Sequence, residues 1–140
     1  MAQYIAAAIQ TVAAGANVRF TDEPVKGTPA IIHRDGSGIV TLRGCTDQCR
    51  ARYKVTFGGN IAVAAGETAG AISVAITQQG EALPGATAII TPAAVDEYGN
   101  VFVAAYIDVP RGCCTTVGVE NLSGIPINVQ NASLIAERVA

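Results

Sequence analysis

Over residues 98–139 the sequence YGNVFVAAYIDVPRGCCTTVGVENLSGIPINVQNASLIAERV carries three apolar runs: 101–109, 115–121 and 125–139. Only Pro110-Arg111-Gly112 and Ser123-Gly124 interrupt them. Val, Ile and Thr have stiff χ1 angles that crowd a helix but suit a pleated surface. Gly and Pro at the breaks mark turns. The runs predict successive antiparallel strands, which restricts the chain to a sandwich or a barrel.

The upstream sequence agrees. Residues 51–57 alternate, with Tyr53, Val55 and Phe57 on one side and Arg52, Lys54 and Thr56 on the other, the pattern of a half-buried strand. Gly58-Gly59-Asn60 predicts a turn after it. Ile72, Val74 and Ile76 alternate with Ser73, Ala75 and Thr77, and Gln79-Gly80 predicts a hairpin. Asp35-Gly36 between Ala30-Ile31-Ile32 and Ile39-Val40-Thr41-Leu42 predicts another, because both positions tolerate positive φ. Residues 4–20 are ambiguous. Tyr4, Ile5, Ile9 and Val12 fall at helical spacing, while Gln10-Thr11-Val12 and Asn17-Val18-Arg19-Phe20 favour two strand pieces around a turn at 14–16. Residues 92–97 suit one helical turn with Pro92 at its start. The expectation is one all-β domain over residues 1–140 with eight to ten strands.

Charge then limits how such a body is solvated. Asp, Glu, Lys and Arg make up 14% of the 140 residues, against about 25% in ordinary domains. A monomer of this mass exposes roughly 6,800 Å², more than 20 charged side chains can cover. Such a sheet protein is expected to hide surface against another copy. The net charge of −2 gives no electrostatic reason for nucleic acid. Arg50, Arg52 and Lys54 read as a solvated strand face. The segment MAQYIAAAIQ lacks a basic secretory n-region, and no apolar run reaches membrane-spanning length, so no membrane insertion is expected.

Chemistry-bearing residues are few. His33 is the single histidine and sits at the edge of the Asp35-Gly36 turn without sequence neighbours at ligand spacing. Asp96, Glu97 and Asp108 are acids near turns, but no aromatic set accompanies them to hold a sugar for hydrolysis. No residue is assigned as catalytic, none as a metal ligand, and no cofactor is expected. The cysteines fall as Cys45-x3-Cys49 and the vicinal pair Cys113-Cys114. Vicinal cysteines alternate faces in a strand and suit one zinc ion poorly. Two readings stay open: a disulfide staple from Cys49 to Cys113 or Cys114, and free buried thiols.

The order of the Tyr53-to-Phe57 strand, the Ile72-to-Ile76 strand with its Gln79-Gly80 hairpin, and the 98–139 stretch resembles the trimeric C1q/TNF-like jelly roll. It looks most like that family's bacterial and phage branch, which includes the C-terminal domains of collagen-like spore-surface proteins. The collagen-like stem is absent here, and Cys113-Cys114 stands where many relatives carry polar residues. The resemblance implies a two-sheet antiparallel jelly-roll sandwich that assembles as a homotrimer. Its interface candidates are Tyr53, Val55, Phe57, Phe102, Tyr106 and Ile135. It also implies a non-enzymatic structural protein decorating a particle, first of all a phage or prophage virion (capsid decoration or fibre head), so that its partner would be a capsid or other particle-surface protein. The alternatives are a spore- or cell-surface trimer and an attachment module that binds a surface glycan or protein through loops such as 21–29, 64–70 and 92–100.

Overall fold

The computed structural model describes every residue except Thr28, residues 45–48 and Cys113. Among the described residues eleven strands follow one another: β1 (Ala2–Ala6), β2 (Gln10–Val12), β3 (Asp22–Val25), β4 (Ile31–His33), β5 (Val40–Arg43), β6 (Arg50–Val63), β7 (Ile72–Gln78), β8 (Glu81–Ile90), β9 (Gly99–Pro110), β10 (Cys114–Asn121) and β11 (Ile127–Arg138). They form two antiparallel sheets. One has the order β3-β1-β11-β6-β9, with β2 also on β11; the other has the order β4-β5-β10-β7-β8.

The three terminal runs are strands, as expected, but they are not one another's neighbours. β9 pairs with β6, β10 with β5 and β7, and β11 with β1, β2 and β6. The Pro110-Arg111-Gly112 break is thus a corner between sheets, with Gly112 at φ 72°, and not a hairpin. Two true hairpins lie where the sequence puts them. Gln79 and Gly80 join β7 to β8 with φ 55° and 83°, the double positive φ of a type I′ turn. Gly36, at φ 80°, turns β4 into β5.

Three expectations need correction. Gly58-Gly59-Asn60 does not turn; β6 runs straight through it for 14 residues. A Cβ on Gly59 would lie 3.4 Å from Ala132 Cα, where β11 bulges between Gln130 and Ser133. Glycine here marks close approach of a neighbouring backbone. Residues 92–97 form turns and no helix, with Asp96 at φ 60°. In the N-terminal segment the turn falls at residues 14–15, but the second strand piece is reduced to a single bridge from Asn17 to Glu120. Gly15 and Val18 donate to Asn121 O and Val119 O, so this segment crosses from one sheet to the other. No helix among the described residues is long and apolar enough to cross a membrane.

Between the sheets the alternating inward residues are small and β-branched, with Tyr4, Phe20, Tyr53 and Phe57 as the large members. Phe20 meets Phe57 edge-on at 6.4 Å between centroids, the arrangement the ring quadrupoles favour. Asn121 is wholly buried and donates to Val12 O, Ala13 O and Ile125 O, while its own oxygen accepts from Ser123 N–H. That one side chain ties the β2 end to the β10–β11 connection.

Candidate functional site

Antiparallel register builds rows across the outer face of the six-stranded sheet. Phe102 of β9 lies opposite Gly58 of β6, which lies opposite Ser133 of β11, then Ile5 of β1 in register with Ser133. The next row is Ala104, Thr56, Ile135 and Gln3, and the one after it is Tyr106, Lys54 and Glu137. Side chains in such rows touch across strands and act as one surface. Along its β9 edge stand Phe102 and Tyr106, 67% and 66% exposed. Beside Phe102 a shallow depression of about 290 Å³ is lined by Gly58, Asn60, Asn100, Asn131 and Ile135 among others. Asn100 Nδ2 donates to Asn60 Oδ1 at 3.2 Å.

One end of this face is charged. Arg52 donates to both carboxylate oxygens of Asp108, Nε to Oδ1 at 2.7 Å and Nη2 to Oδ2 at 3.1 Å, and Arg50 Nε lies 3.4 Å from Oδ2. The Arg52 hydrogen bond holds the Asp108 carboxyl below its ordinary range. The bidentate geometry orients the pair, although an exposed ion pair adds little to stability. Asp96 accepts from Asn128 Nδ2.

The interface candidates divide cleanly. Phe102, Tyr106 and Ile135 stand on the outer face, Ile135 half-buried. Tyr53, Val55 and Phe57 do not: each is 0% exposed and faces the opposite sheet. They are corrected from interface to core, because the alternation of β6 sends Arg52, Lys54 and Thr56 outward instead. Tyr53 donates its hydroxyl to Arg43 O at 2.8 Å, which fastens it to the second sheet.

The two described cysteines, Cys49 and Cys114, lie at one end. Arg111 N–H donates to Cys49 O, Gly112 N–H donates to Gly44 O, and Cys114 stands in register with Arg43. Cys113, like Cys45, lies outside the described residues. Cys49 carries a free, exposed thiol and Cys114 is exposed. Neither of these two is a buried thiol, and the option of a staple from Cys49 to Cys113 falls outside the described residues. Cys49 lies at a bend just before β6 and Cys114 opens β10, both at exposed positions.

With sheet order, register and exposed face in view, the chain can be set beside known structures. It superposes on the globular domain of zebrafish complement 1qA with a TM-score of 0.64 at 11% identity, covering 99% of this chain and 96% of that one. Against Eiger TNF from S. frugiperda the TM-score is 0.69 at 13% identity, covering 100% and 92%. Murine APRIL gives 0.53 at 13% identity, covering 91% and 96%. The fold is the C1q/TNF-like jelly roll. No protein-family model and no curated protein sequence matches the chain. The likeness therefore lies in backbone architecture, and at these identities it extends to the fold alone.

Proposed function

We propose that this chain is a non-enzymatic structural domain that assembles as a homotrimer through the outer face of its six-stranded sheet. The observation that carries this reading is the pair Phe102 and Tyr106, two residues on one strand that are each two-thirds exposed. Covering about 100–150 Å² of each ring would recover on the order of 3 kcal/mol per residue. Two further features support it. β9 is a 12-residue edge strand, and a long apolar edge invites uncontrolled pairing unless something covers it. The C1q/TNF-like fold supports a closed three-fold ring over other arrangements, since heterologous contacts that close do not propagate into filaments. Replacing Phe102 and Tyr106 together by Asp should leave a folded monomer by light scattering. An unchanged trimer would remove the face from consideration.

The trimer's proposed setting is the surface of a particle, a phage or prophage virion first and a spore or cell surface second. This rests on the sequence resemblance to the bacterial and phage branch. Mass spectrometry of purified virions and of purified spore coats from the source tests it: the chain should be enriched in one of them, and its absence from both would end the proposal.

A further inference from the structure

Edge strands β3 and β4 belong to different sheets, and they bring Glu23 together with two residues, His33 and Asp35, at the β4–β5 turn. Glu23 lies on β3, His33 ends β4, and Asp35 follows in the turn. One ligand atom from each, two carboxylate oxygens and a ring nitrogen, lies within 4.8 Å of the others.

His33 makes this more than an acidic cluster. Its side chain is 0% exposed. The ring is held between Tyr4, at 4.4 Å between centroids, and the edge of Phe20, at 6.4 Å. Nε2 lies 2.8 Å from Ser37 O. A carbonyl oxygen can only accept, so Nε2 carries the hydrogen, and in the neutral ring Nδ1 presents its lone pair. Nδ1 is buried and has no hydrogen-bond partner among the described residues. It points to Glu23 Oε1 across 3.8 Å, too far for a hydrogen bond. A second shell that fixes the tautomer, with the other nitrogen bare, is how metal-binding histidines are held.

We propose that Glu23, His33 and Asp35 form a divalent transition-metal site of the Zn²⁺ class, clamping the edge of one sheet to the edge of the other. One imidazole and two carboxylates supply three protein ligands and leave a position for water. Ca²⁺ prefers six to eight oxygens and Mg²⁺ an octahedral, mostly aqueous shell, so the nitrogen selects against both. Asp35 is exposed, which gives the ion a way in. The site lies apart from the Phe102 face and does not depend on the trimer. Because the unfolded chain would not hold the three ligands together, the ion would stabilise the fold by mass action.

The test is calorimetric titration of the chelator-stripped full chain with Zn²⁺ alone, with Co²⁺ absorption as a second probe. The expected result is one ion per chain and a Co²⁺ spectrum without the thiolate charge-transfer band that the cysteines would produce. Asp35→Asn and His33→Gln should each weaken Zn²⁺ binding roughly tenfold or more, the least expected when even an outer-shell partner is worth that much. Asp35 is exposed in a turn, so its variant keeps the test valid if His33→Gln fails to fold. Absence of binding to the wild type, a thiolate band, or unchanged affinity in Asp35→Asn would each overturn the site. So would ¹⁵N NMR showing a protonated Nδ1 that Zn²⁺ does not shift, the signature of a simple imidazolium–Glu23 pair.

Discussion

Phe102 lies in register across from Gly58, and a Cβ added at Gly58 would stand 3.7 Å from the Phe102 ring. That is ordinary contact distance, so the ring rests over the β6 backbone with its other side open to solvent. Gly58→Ala should therefore be tolerated. Gly58→Val would lift the ring and roughen the surface, weakening self-association by about 1 kcal/mol or more, the range of a contributing interface residue. The dissociation constant, measured by dilution for both variants, checks this.

Two phenylalanines on adjacent strands should behave in opposite ways. Phe57 is wholly buried against Phe20, so Phe57→Ala should cost about 3–5 kcal/mol of folding stability. Phe102→Ala should change monomer stability by no more than about 0.5 kcal/mol while reducing association. Urea unfolding at concentrations low enough to keep the chain monomeric separates the two effects.

How much of this was legible beforehand depended on whether the controlling contact was local. Alternation from Arg52 to Phe57 located β6 and its two faces, and Gln79-Gly80 and Asp35-Gly36 located their hairpins, because strand period and turn dihedrals are written in adjacent residues. Which face of β6 meets the opposite sheet is decided by strands distant in sequence. Tyr53, Val55 and Phe57 therefore read as interface from sequence but form the core. Gly58-Gly59 imitates a turn in sequence; only the β11 bulge against Gly59 shows why glycine sits inside a strand. The pairing of Glu23 with His33 had no sequence signal at all, since it joins the edges of two sheets.

Alkaline pH should expose the Tyr4 environment. Tyr4 faces Glu23 from β3 and His33 from β4, and burial with the Glu23 charge raises its hydroxyl from 10.0 to about 12. The folded chain keeps this proton more tightly than the unfolded chain. The contribution is complete below pH 10 and is lost as pH rises from about 10 to about 12, by on the order of 3 kcal/mol. Urea melts in the presence of chelator should show this loss in the wild type relative to Tyr4→Phe. Parallel pH dependences in the two proteins would contradict it.

Asn121 should be the costliest polar residue to truncate. Its amide satisfies three backbone carbonyls and its oxygen one N–H in a wholly buried setting. Asn121→Ala removes these bonds from a buried setting, with Ala13 O keeping the Ala16 N–H, for an expected loss of about 2–4 kcal/mol. Hydrogen exchange should also show faster opening at Ser123, whose amide donates to it.

Sedimentation equilibrium of the wild-type chain at micromolar concentration tests the central claim most directly. The account predicts a single species of three times the 14.2 kDa chain mass, reduced to one chain by Phe102→Asp with Tyr106→Asp and with the β-sheet circular dichroism intact. A wild-type protein that sediments as one folded chain across that range would contradict it.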